Sequence, residues 1–157
     1  MTRLHALLLC AVLGSGCAGF DSARTAYEIG DYGKASRQWR ALAVRGNAEA
    51  QYRLGMMYAA GQGVEQDNLR AARLMLKAAG NGLPEAQYRL GQYFMSGDVV
   101  PANPDLAVTW MRRAADQGLL DAQNHLGQLD LNGAGGPEDD PRAREWIEGM
   151  AERATAL

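Results

Sequence analysis

The chain has 157 residues, 47% of them hydrophobic, and a formal charge of −2. At this length a globular chain buries roughly 68–70% of its unfolded surface, so one compact domain or a short repeat array is within reach. Basic and acidic residues are interspersed and Lys77 is the one lysine of the repeated region, so there is no basic stripe to neutralise phosphates, which argues against nucleic-acid binding.

The first element is a targeting segment. Residues 1–16 have Arg3 in a short leading region, an apolar run from Ala6 to Leu13, and small residues Gly14, Ser15 and Gly16 before Cys17, the layout of a secretory signal. The run is too short for a permanent bilayer-spanning helix. One reading is an ordinary cleaved signal with a coincidental cysteine. The other rests on resemblance: a cysteine directly after small residues is similar to the bacterial lipobox, although Gly14 fills the usual leucine position. That resemblance implies cleavage before Cys17, lipidation of its thiol, and anchoring stronger than one acyl chain gives. Ala18, where an inner-membrane signal would place Asp, implies the outer membrane facing the periplasm. Cys10 leaves with the signal, so the mature chain keeps no thiol for a disulfide or a thiolate-ligated metal. Residues 17–22 read as the lipidated terminus and a short tether.

Residues 23–46 read as a partial first hairpin of tetratricopeptide type, with the short turn "GDY". From there the chain repeats. "AQYRLG" occupies 50–55, recurs at 86–91 and returns as "AQNHLG" at 122–127, a period of 36, giving units over 47–81, 82–117 and 118–157, the last with a C-terminal cap. In each unit the first helix places Ala50, Leu54 and Tyr58 on one face, with Ala86, Leu90, Phe94 and then Ala122, Leu126 as counterparts. Gly55, Gly91 and Gly127 beside that face let a neighbouring backbone approach. The second helix buries Ala71, Leu74, Ala78, then Ala107, Trp110, Ala114, then Ala143, Trp146, Met150. Asn103-Pro104 and Asp140-Pro141 mark its starts, and Gly82 and Gly118 its ends. The spacing predicts an all-α chain of stacked helical hairpins.

The pattern Ala50, Leu54, Gly55, Tyr58, Gly61, Gly63, Val64, Asp67 is similar to the Sel1-like repeat, a tetratricopeptide relative with a longer loop between its helices. Unit two departs at Val99 and Pro101, and unit three at Asp130 and Gly136, as suits a terminal repeat. The resemblance implies a right-handed α-solenoid whose concave side is lined by the first helices. It also implies an adaptor that holds other proteins together, often in the bacterial envelope, sometimes in polysaccharide export or secretion machinery.

A second stripe on the first helices runs through Glu49, Tyr52 and Met56, then Glu85, Tyr88 and Gln92, then Asp121, Asn124 and Gln128. It reads as a partner-binding strip for a protein segment of some basic character. The competing reading is that the tyrosines only hold hairpins together and the acids sit at helix N-termini for dipole reasons. Arg53 and Arg89, about 100° further round the helix, are expected off the strip.

Catalytic signals are poor. His125 is the one histidine of the mature chain and holds the repeat position of Arg53 and Arg89, so it reads as solvent-facing. "GxG" at 61–63 reads as a turn, and Glu138-Asp139-Asp140 as a solvated loop, not a calcium site. No metal, cofactor or catalytic residue is assigned. An envelope adaptor is the leading reading, a cell-wall peptide or glycan binder the next, and an enzyme the most remote.

Overall fold

The computed structural model describes residues 19–131. Cys17, Trp146 and the second helix of the third unit lie outside the described residues. Among those described there are seven helices and no strand: α1 over 19–28, α2 Tyr32–Val44, α3 Ala48–Ala60, α4 Asn68–Gly80, α5 Pro84–Ser96, α6 Pro104–Asp116 and α7 Leu120–Leu131. None is long and apolar enough to cross a membrane. From α2 onward each helix packs against the next in sequence, and α1 packs on α2 through Ala23, Tyr27 and Trp39, the order of a hairpin stack, so the all-α solenoid is what the structure shows.

Local chemistry sets the boundaries. The side chains of Asp31, Asn47, Asp67 and Asn103 accept the orphan N–H groups at the starts of α2, α3, α4 and α6. α5 has no side-chain cap and opens with Pro84, which has no N–H to satisfy. Between units the turns are alike: Asn47, Leu83 and Leu119 donate their N–H groups to the carbonyls of Leu42, Ala78 and Ala114, five residues back. That closure needs a left-handed residue, supplied by Gly46, Gly82 and Gly118 at φ of +86°, +89° and +90°.

The tether expected over 17–22 is shorter than the sequence implied. Residues 19–22 are already helical, with Phe20 packed against the first core cluster and Ala23 fully buried. Apolar burial pulls these residues into the stack, so the first hairpin begins at 19 and not at 23.

Two core clusters succeed one another along the stack. The first joins α1, α2, α3 and Ala71 and holds Trp39, Leu54 and Tyr58; the second joins α4, α5 and α6 and holds Leu90, Phe94 and Trp110. Ala50, Ala86 and Ala122 are fully buried. Gly55 and Gly91 lie where expected for close approach: a Cβ on Gly55 would stand 3.3 Å from the Ala71 carbonyl oxygen, and one on Gly91 2.7 Å from Met111 Cγ. Leu126 is half-buried, and Gly127 is exposed with nothing within 4 Å of a Cβ.

Two features depart from the sequence reading. Met75 and Met111, not marked as core, are fully buried over those glycines. Leu74, marked as core, is only half-buried. The loops also differ. At φ +66° Gly63 presses on the α2 N-terminus, where a Cβ would lie 2.4 Å from the carbonyl carbon and oxygen of Tyr32, whereas its repeat counterpart Val99 packs on the second cluster without a positive φ.

The glutamine of the repeated phrase has a role that periodicity did not reveal. Gln51, Gln87 and Gln123 each donate from Nε2 to the carbonyl of the residue eight positions back, Ala43, Ala79 and Ala115, at 3.2, 3.1 and 3.0 Å. Those carbonyls also accept the N–H of Gly46, Gly82 and Gly118. Gln51 and Gln87 then accept from Asn81 and Gln117 at 3.1 and 2.8 Å. A nearly buried amide so ties the end of one hairpin to the end of the next.

Candidate functional site

The expected partner strip lies on α3, α5 and α7, and the structure divides it in two. In the first part Tyr52 and Met56 pack against the second core cluster and are half-buried. Both side chains thus fill space between α3 and the second cluster. Glu49 is not a free acid: its carboxylate accepts from Arg53 Nε at 2.6 Å, and the Arg53 guanidinium lies 5.8 Å from the Tyr52 ring centroid.

Arg53 and Arg89 are therefore corrected onto the strip. Their Cα positions lie further round the helix, but a long flexible side chain reaches back over the turn. Arg89 donates to Gln92 Oε1 at 3.0 Å. Tyr93 is half-buried on the second core cluster, and burial pushes its phenol above the ordinary range while the Arg89 charge pulls it down and Tyr52 adds to the rise. Arg89 thus touches the strip through Gln92, and Tyr93, which sequence reading did not single out, packs beside it on the second core cluster. The signal that could have found Tyr93 was its aromatic ring beside Gln92, on a helix whose deeper face was already filled by Leu90 and Phe94.

The second part is more open. Tyr88, Asp121, Asn124, His125 and Gln128 line a shallow depression of about 250 Å³ between α5 and α7. Four of these five were placed on the strip from sequence. His125, expected to face solvent, is half-buried instead, with Nδ1 3.3 Å from the Tyr88 hydroxyl and the rings edge to face at 5.9 Å. The exposed Asp121, Asn124 and Gln128 surround that pair with acceptors and donors. Asp121 and the exposed Glu85 stand in the first turns of their helices, where the macrodipole favours a negative charge. Among the described residues no group of three or more His, Cys, Asp or Glu side chains could hold a metal ion. The arrangement offers an aromatic wall and several hydrogen-bonding groups, which suits recognition of a polar segment.

The Sel1 repeat matches residues 48–83, 84–119 and 120–153. Among solved structures, a Sel1 repeat protein from Oxalobacter formigenes is 30% identical with a TM-score of 0.71, over 85% of this chain and 53% of that one. A protective antigen present in uropathogenic Escherichia coli strains, displaying an SLR fold, is 34% identical with a TM-score of 0.72, over 98% of this chain and 34% of that one. The chain thus spans about half the length of the first and a third of the second. A comparison with curated proteins gives no match. Three matched repeats over more than half of the chain, on an all-α hairpin stack shared with these structures, mean that the chain belongs to the Sel1 repeat family.

Proposed function

We propose that this protein is a lipid-anchored adaptor of the bacterial envelope, on the outer membrane and facing the periplasm, that captures another envelope protein on the face formed by its first helices. Sel1 repeats generally mediate protein–protein interaction and serve as non-enzymatic scaffolds. The observation that carries the reading is the depression between α5 and α7, where Tyr88 and His125 form a wall and exposed polar groups surround it. Packing accounts for Tyr52 and Met56, but it does not require this polar cluster. An aromatic residue with a polar tip is a common interface anchor, because it buries much area at little rotamer cost.

Changing Tyr88→Ser with Asn124→Ala is expected to weaken partner capture at least about tenfold, the scale of a hot-spot loss. The measure is site-specific crosslinking in intact cells from a photoreactive group at Gln92, with helicity checked by circular dichroism. A matched change of the exposed Lys34 and Arg37 on α2 should leave the crosslinked species intact. Capture that survives the first pair and is lost with the second would move the binding face to the other side of the stack.

Anchoring is supported by Gly14-Ser15-Gly16 before Cys17. With α1 beginning at residue 19, two residues of at most about 3.3–3.6 Å each separate the lipid from the stack, so the first hairpin would lie against the bilayer. Mass spectrometry of the membrane-extracted protein should show loss of residues 1–16 and a diacylglyceryl-type mass on Cys17. A soluble product of unmodified mass would overturn the anchoring.

A further inference from the structure

A second concavity lies away from this face, between α2 and α4 with α3 as its floor. It has a volume of about 300 Å³, and its apolar base includes Leu54, Leu74 and Tyr58. Its rim is formed by Arg40, Arg70, Arg73 and Lys77, and no carboxylate lines it. On a chain of formal charge −2 this is a local concentration of positive charge.

The repeat itself shows that the groove is not a by-product of stacking. One period on, the positions of Arg40, Arg70, Arg73 and Leu74 are taken by Leu76, Leu106, Thr109 and Trp110, all buried. Trp110 is buried at the corresponding position and lies beneath the Arg113 guanidinium at 4.8 Å. In the earlier unit the smaller Leu74 lines the open groove, and three cations replace side chains that are buried one period on.

The cations differ in how they are held. Arg40 donates to the Tyr58 hydroxyl at 2.9 Å. Arg70 pairs with Asp67 at 3.1 Å and stacks on the Tyr58 ring. The side chains of Arg73 and Lys77 have no hydrogen bond or ion pair among the described residues. Arg70, Arg73 and Lys77 are spaced three and four apart, so they form one row on α4 about 10 Å long. A volume of this size stands at the low end of ligand pockets and takes one or two apolar side chains.

We infer that this groove is a second docking site, for a short acidic segment of a partner protein that seats an apolar side chain against Leu54 and Leu74 and sets carboxylates against the Arg73 and Lys77 rim. Leu54 and Tyr58 are buried and Leu74 half-buried at its base, so the floor is recessed between helices, while Val44 is exposed at its edge; a recessed floor with an apolar lip fits an inserted side chain. The site is independent of the face between α5 and α7, so either can fail without the other.

The probe is a fluorescein-labelled peptide of eight alternating Glu and Leu residues, titrated against the full chain by fluorescence anisotropy. Companion peptides carry Lys in place of Glu or Ser in place of Leu, and vesicles of phosphatidylglycerol in phosphatidylcholine form a separate arm. The Glu-Leu peptide should bind saturably, weaken as salt rises, and outcompete both companions. Leu74→Trp, which gives this unit the side chain its neighbour already carries, should weaken binding at least about tenfold with helicity unchanged. Arg73→Glu with Lys77→Glu, at sites outside the core, should do the same, whereas Tyr88→Ser with Asn124→Ala should leave peptide binding intact. Equal binding by Leu74→Trp or by the Lys peptide, no saturable binding at all, or capture of the anionic vesicles in place of the peptide would each overturn the proposal.

Discussion

Trp110→Ala should lower the unfolding free energy by about 3–5 kcal/mol, the range for removing a buried tryptophan. Trp110 is 2% exposed in the cluster that joins α4, α5 and α6, so the cavity opens inside an interface between units. Arg113, stacked on its ring, loses its partner as well. Adjacent helices cannot collapse freely into the space, because Gly91 already holds α5 against Met111 and the Ala107 carbonyl. Leu74→Ala supplies the comparison within the same protein: the side chain is half-buried at the edge of an existing groove, so its removal should cost clearly less. Urea unfolding followed by circular dichroism measures both. An unchanged midpoint for Trp110→Ala would show that the second cluster does not hold the stack together.

Gly63→Ala is expected to cost about 2–5 kcal/mol through two separate penalties. A left-handed backbone carries roughly 1–2 kcal/mol for a residue with a Cβ, and overpacking adds about 1–3. The second penalty is severe here because the Cβ would lie 2.4 Å from backbone atoms of Tyr32, which cannot rotate aside as a side chain end does. Relief requires lifting the loop off α2, which removes the Gly63 carbonyl from the Ser36 hydroxyl, for which it is the longer acceptor at 3.4 Å beside the Gly33 carbonyl at 3.0 Å. Gly46→Ala separates the two contributions: Gly46 has φ +86° and nothing within 4 Å of a Cβ, so it bears the conformational penalty alone. Equal losses for the two variants would mean that the loop does not bear on α2.

Much of the fold was legible because two periods coincide. A spacing of 36 aligned the units, and within each unit the 3.6-residue period picked out Ala50, Leu54 and Tyr58 as an inward face. Gly55 and Gly91 were legible for the same reason, as missing side chains beside that face. What escaped was whatever depends on reach or on a neighbour. Arg53 and Arg89 leave their helices at one angle and end at another, so helical geometry misplaced their charges. His125 looked solvent-facing because its partner Tyr88 lies a unit away. Arg40 and the α4 cations are far apart in the sequence and gather only when α2 and α4 flank α3. The strip was half legible: its residue types were visible, but the packing role of Tyr52 and Met56 depends on the second cluster beneath them.

The amide bond from Gln51, Gln87 and Gln123 bears on how the length of such a chain can change. Each seat consists of an alanine carbonyl in the last turn of one hairpin and a glutamine in the first turn of the next, and the same joint occurs three times. A hairpin copied in frame, 36 residues long, would bring a glutamine for the joint before it and an alanine carbonyl for the joint after it. No new complementary surface has to arise for the copy to dock. Duplication or deletion of whole units therefore conserves the screw that relates neighbours, whereas insertion of a few residues within a unit would displace glutamine from carbonyl and interrupt it. Selection can then adjust the reach of the protein in steps of one hairpin, keeping existing binding faces in phase while adding or removing others.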